Sequence, residues 1–200
     1  AFCLILTEAL VYGQQPPPYD LNTGIYSVGF EDKPQINKKK LVPNPVSTYR
    51  NQELSFEVSY PKNWYPAESV RNAALLLRRD SGTDLASISF NVANFTGDPA
   101  VFMGDMKKEG GAYLVKKLQD RFPTAKLVKK GETSLGSFPA YYVVIQYIIS
   151  NLDMNLEQVA MQVYCIRKDK IYLVYLESNL SCYDDALKDF HKIIATFNYL

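Results

Sequence analysis

One histidine, three cysteines and a scatter of hydroxyls, lysines and carboxylates are what the 200 residues offer for chemistry. A general base or a metal ligand needs partners, and His191 has no second histidine anywhere in the chain. It shares a helix face with Asp184, Lys188 and Lys192, opposite an apolar stripe, and is expected to face solvent. Serines and cysteines are available as nucleophiles, but no Gly-x-Ser-x-Gly elbow and no cysteine–histidine frame accompanies them. Asp184, Asp185 and Asp189 lie near the start of a C-terminal helix, where carboxylates complement the helix dipole better than they hold a cation. The residues predict binding rather than catalysis, with no cofactor and no metal.

Two cysteines invite a disulfide, and their spacing argues against it. Cys165 lies on a predicted strand that turns at Lys168-Asp169-Lys170, and Cys182 falls well past the facing position on the return strand. At about 3.3 Å per residue the gap exceeds the reach of a disulfide, so both are expected as buried or half-buried free thiols. Asn94-Phe95-Thr96 and Asn179-Leu180-Ser181 match the glycosylation acceptor pattern, with Asn94 at a strand end expected to be the less accessible.

Charge is nearly balanced, 22 Lys+Arg against 21 Asp+Glu, which removes bulk electrostatics as a reason to expect nucleic acid. It is not evenly spread. Lys107, Lys108, Lys116, Lys117, Arg121, Lys126, Lys129 and Lys130 face only Glu109 and Asp120 within residues 107–130. This stretch is the candidate docking patch for an acidic protein or a membrane surface. Tyr65, Tyr113 and Tyr172 are the candidate aromatic anchors.

Positioning these groups falls to a fold that begins late in the chain. Residues 1–13 read as a signal-peptide remnant, too short to span a bilayer, and the bulky Phe2 before Cys3 does not suit a lipid-anchor motif. Residues 14–47, with a proline triplet and Lys38-Lys39-Lys40, read as an extended Pro-rich arm. From residue 48 onward the pattern changes. Leu54, Phe56, Val58 and Tyr60 alternate with polar residues as a strand does, and a hairpin follows around Asp80-Ser81-Gly82. Asp98-Pro99 opens a helix that Gly110-Gly111 should break before a second piece stopped by Pro123. Four strands within 125–132, 138–149, 156–167 and 171–177 form an antiparallel meander. Among them FPAYYVVIQYII is apolar on both faces, as in the middle of a sheet covered by helices on both sides. A terminal helix with Ser181 as N-cap buries Tyr183, Ala186, Leu187, Phe190, Ile193, Ile194 and Phe197.

This order of elements, with LSFEVSYPKNW on the first main strand, GSFPAYYVVIQY on the apolar one and KIIATF closing the last helix, resembles the PsbP-like family. The resemblance covers residues 48–200 and rests on packing and turn features: Tyr60-Pro61 with Trp64, the lead-in at 136–140 and the strand at 172–176. It implies an α+β fold, an αβα sandwich whose antiparallel central sheet is flanked by helices on both faces. The same fold is shared with a Ran-binding nuclear-transport factor. It further implies an exported, non-enzymatic protein-binding or assembly module at a membrane surface, with a protein partner or membrane complex. The expected location is extracytoplasmic, with the thylakoid lumen as alternative. A second reading of the 15 tyrosines and 10 phenylalanines is a soluble carrier holding a small apolar ligand between sheet and helix.

Overall fold

Alternation of Phe56, Val58 and Tyr60 with polar neighbours makes one buried and one half-exposed strand face, and that strand organises the start of the domain. In the computed structural model, which describes residues 46–68, 73–81, 84–151 and 154–200, β1 (Val46–Asn51) pairs antiparallel with β2 (Phe56–Pro61). The expected signal remnant, Cys3, Lys38-Lys39-Lys40 and nearly all of the arm lie outside the described residues. Val46 and Ser47, assigned to the arm on sequence, already belong to β1.

Seven strands follow: β3 (Tyr65–Pro66), β4 (Leu75–Ser81), β5 (Asp84–Asn94), β6 (Lys126–Leu135), β7 (Phe138–Asn151), β8 (Met154–Arg167) and β9 (Lys170–Asn179). They form one antiparallel sheet in the order β3-β4-β5-β9-β8-β7-β6. A last short strand, β10 (Asn198–Tyr199), pairs with β2 to complete a separate three-stranded sheet, β1-β2-β10. The meander predicted from residue 125 onward is present. The doubly apolar β7 is not central, however, but second from the β6 edge. It is buried on both faces because two cores reach it, one through Ala140 and Val144 and the other through Tyr141, Val143, Ile145 and Tyr147.

The first helical layer begins at α1 (Pro99–Asp105), where Asp98 Oδ1 accepts from the amides of Ala100 and Val101 at 2.7 and 3.3 Å. Gly110-Gly111 does not break the helix. The chain passes through a π-helical turn (Met106–Gly110) directly into α2 (Gly111–Gln119). A Cβ on Gly110 would lie 2.8 Å from Met106 Sδ, so glycine lets the Met106 side chain fold back over the turn. Lys130 Nζ donates to the carbonyls of Lys107 and Lys108 at 2.9 and 3.0 Å, satisfying acceptors at the irregular turn. Leu114, Leu118 and Phe122 then cover β7, with the Phe122 and Tyr147 rings stacked 4.5 Å apart.

On the opposite face lies α3 (Tyr183–Ala195), burying Tyr183, Ala186, Phe190, Ile193 and Ile194, with Leu187 half-buried, as its stripe predicts. Phe197 beyond it stacks on Phe56 and Phe90 at 5.3 and 6.1 Å. Ser181 does not cap this helix. A 3-10 turn (Leu180–Cys182) comes first, which places Cys182 at the cap position with no side-chain cap bond, while Asp184 and Asp185 occupy the first turn. Cys165 and Cys182 are both buried free thiols, as their spacing required. Helices on both faces of an antiparallel sheet make the α+β sandwich expected. Among the described residues no helix is long and apolar enough to cross a membrane.

Candidate functional site

The basic stretch becomes one surface because α2 runs beside the edge strand β6. At one end a Cβ on Gly111 would meet Leu127 and Lys130 at 3.1 and 3.3 Å, and at the other Gln119 Nε2 donates to the Ala125 carbonyl at 2.9 Å. Lysines of helix and strand therefore line the same flank. Lys107, Lys108, Lys116 and Lys126 are exposed, and Lys117, Arg121, Lys129 and Lys130 half-buried. Of the eight, Lys107 pairs with Glu132 at 2.5 Å, and Lys130 is turned inward onto the helix carbonyls. The hydrogen bond and charge of Lys107 hold the Glu132 carboxyl below the usual range. The Arg121 guanidinium lies 5.4 Å from the Phe122 ring centroid. Lys108, Lys116, Lys117 and Lys126 form no ion pair among the described residues. Lysines on β6 also guard an edge strand against pairing with another chain.

Of the aromatic anchors, only Tyr113 lies on an element of this flank. Tyr172 is buried and its hydroxyl donates to the Leu54 carbonyl at 3.3 Å, while Tyr113 is half-buried. Tyr65 is exposed, but it lies on β3, the edge of the sheet opposite β6. His191 also departs from expectation. It is half-buried beside Phe190, and burial pushes its pKa below the ordinary imidazole value, which keeps it neutral at pH 7. Asn94 and Asn179 exchange places: Asn94 is exposed, whereas Asn179 is buried and accepts from Gln158 Nε2 at 2.6 Å. Among the described residues no group of three or more His, Cys, Asp or Glu is placed to hold a metal ion.

Asp189 does more than face the helix dipole. Its Oδ2 accepts from Trp64 Nε1 and Arg79 Nη1, both at 3.1 Å, and from Asn63 Nδ2 at 3.3 Å, while Lys192 Nζ meets Oδ1 at 3.1 Å. Arg79 in turn lies 5.3 Å from the Trp64 ring centroid. Burial would raise this carboxyl's pKa, but the hydrogen bonds from Trp64, Lys192 and Asn63 outweigh it and leave the pKa below the usual value. Nothing in the local sequence links these positions, since 125 residues separate Trp64 from Asp189.

Sequence reading also missed a polar row inside the sheet. The Tyr147 hydroxyl donates to Glu177 Oε1, and Gln158 and Gln162 are buried one strand away. Beyond this row, where β8 and β9 end, lies an open groove of about 390 Å³ lined by Leu156, Glu157, Asn179, Leu180 and Ser181. It is at the end of the sheet, not between sheet and helix as the carrier reading requires. There, stacked Phe56, Phe90 and Phe197 occupy one core and Phe122 with Tyr147 the other.

No protein-family model matches this sequence, and no curated protein does. Solved structures do match. The solution structure of cyanobacterial PsbP (CyanoP) from Synechocystis sp. PCC 6803 superposes with a TM-score of 0.59 over 82% of this chain and 98% of that one, at 12% identity. The fold is PsbP-like. The same PsbP-like arrangement is found in the Ran-binding protein Mog1p of Saccharomyces cerevisiae, with a TM-score of 0.52, 11% identity, and coverage of 78% of this chain and 96% of that one. At such identities the likeness speaks for the fold and leaves the flank to be argued from its own residues.

Proposed function

We propose that this chain is a non-enzymatic protein-binding or assembly module, exported and acting at a membrane surface, which meets an acidic partner through the flank formed by α2 and β6. The observation that carries the reading is that Lys108, Lys116, Lys117 and Lys126, on the adjoining π-helical turn, α2 and β6, have no carboxylate partner among the described residues. Unneutralised like charges cost self-repulsion within the domain, and a partner of opposite sign relieves that cost while steering the encounter. A PsbP-like fold is compatible with this role, since one solved protein that shares it is a Ran-binding protein.

The test is charge reversal. The wild-type chain and a Lys116→Glu, Lys117→Glu, Arg121→Glu variant are compared for retention on immobilised poly-glutamate and on phosphatidylglycerol vesicles at low salt. The wild type is expected to bind at low salt and to release near physiological ionic strength, where the screening length falls to about 8 Å. The variant should fail to bind at any salt. Equal retention of the two proteins overturns the reading. Retention on vesicles alone assigns the flank to lipid headgroups instead of an acidic polypeptide.

A further inference from the structure

The two flanks of the sheet are treated differently. β6 carries Lys126 and Lys129, charges that discourage a foreign strand from pairing there. A second, shorter edge has no such guard. β8 pairs with β7 to its very start, through Met154, Asn155, Leu156 and Glu157, but its pairing with β9 begins only at Gln158, opposite Asn179. Past Asn179 the chain leaves the sheet through the 3-10 turn at Leu180–Cys182. Residues 154–157 therefore form a strand with β7 on one side, and no strand among the described residues takes the other. In an antiparallel ladder alternate residues aim N–H and C=O to the same side, so two of these four offer both groups to the vacant position.

The groove lies at that position, and its walls are apolar: Leu156 from β8 and Leu180 from the turn. Met154 (73% exposed), Leu156 (39%) and, across the sheet end on β5, Leu85 (52%) add apolar surface around it. Glu157 lines the groove, and among the described residues no lysine or arginine does. An unpaired ladder, an apolar slot for one side chain and the Glu157 carboxylate beside it together specify an extended segment with an apolar residue next to a basic one.

We infer that the 154–157 edge of β8 accepts an added strand from a partner protein, a short extended peptide whose aliphatic or aromatic side chain enters the slot between Leu156 and Leu180 and whose Lys or Arg meets Glu157. Backbone bonds supply the register and the slot supplies selectivity, the usual division in strand addition. This site lies apart from the basic flank and takes the opposite charge, so it stands or falls independently of the reading above.

The test selects random heptapeptides displayed on phage against the full-length chain and, in parallel, against its Leu156→Lys, Glu157→Lys variant. Both positions are at least partly exposed, and Trp64 emission checks that the variant keeps its fold. Peptides with an apolar residue beside Lys or Arg should be enriched on the wild type about tenfold over the variant. A synthetic copy should shift the backbone amide resonances of residues 155–157 and Leu180. N-methylating its alternate peptide bonds should weaken binding about tenfold, the loss of roughly one well-made hydrogen bond, and this arm needs no protein variant. Equal enrichment on both proteins, shifts confined to other elements, or indifference to N-methylation each overturn the inference. A concentration-dependent dimer abolished by the double variant would assign the edge to a second copy of this chain and overturn it as well.

Discussion

Asp189→Asn is the substitution whose cost is easiest to work out in advance. It keeps the volume of the side chain and one oxygen, but removes the charge on which Trp64, Arg79, Asn63 and Lys192 converge. Asp189 and Arg79 side chains are 14% and 15% exposed, so their pair is poorly screened, whereas Lys192 at 60% exposed contributes little. A hydrogen bond to a charged group contributes about 1.5–3 kcal/mol, and removing one member of a buried pair costs about 3–5 kcal/mol. With one acceptor oxygen retained and the exposed Lys192 contributing little, the expected loss is about 2–3 kcal/mol at pH 7. For a domain of this size that lowers Tm by about 5–10 °C. The assay is urea unfolding followed by fluorescence, for which Trp64, the only tryptophan in the chain, is 1% exposed in the fold. The difference depends on pH. Because the folded pKa of Asp189 is depressed, its contribution is complete above the ordinary carboxylate pKa of about 3.9 and is lost as pH falls through the folded value. Wild type and variant should converge in strong acid. A variant within about 0.5 kcal/mol of wild type at pH 7, or a gap that widens on acidification, refutes the network as the clasp between α3 and the loop after β2.

Two further predictions concern single contacts. Gly136 has φ +58° and donates its amide to the Ile194 carbonyl at 3.0 Å, and a Cβ there would collide with the Phe197 carbonyl oxygen. Gly136→Ala should therefore destabilise the domain by about 2–4 kcal/mol in urea unfolding, and a cost under about 1 kcal/mol would show that this turn does not brace the end of α3. Burial pushes the Cys165 thiol above its usual pKa, against the lowering influence of the Tyr199 hydroxyl 2.9 Å away and of Arg167. In a Cys3→Ser background no thiol should react with Ellman's reagent until urea unfolds the chain, and prompt reaction in native buffer would contradict that burial.

Periodic features were legible in the sequence because one element suffices to reveal them. The stripe of α3, the alternation of β2 and the meander from β6 to β9 each follow from local spacing of apolar residues. What was misplaced depended on a distant partner. Gly110-Gly111 looks like a helix break until Lys130, from the following strand, is seen on the carbonyls of the turn. β7 looks central because two cores reach it, although only β6 lies beyond. Asn179 looks more accessible than Asn94 until Gln158 is placed beside it. The same holds for function. The basic residues were readable as a run, yet which of them are engaged by Glu132 or by helix carbonyls was not. The unpaired edge of β8 could not be read at all, since it exists only because β9 stops opposite Gln158.

The small sheet has a consequence for the order in which this protein can be made. β2 comes near the start of the domain, yet one of its two neighbours is β10, and its Ser59 amide donates to Thr196 Oγ1 across 137 residues of chain. Phe56 on β2 likewise waits for Phe197 to stack against it. Closure of such a distant pair adds little cost from loop length itself, but it places a slow step late. A nascent chain therefore holds the apolar face of β2 without its final cover until residues 196–199 have emerged from the ribosome.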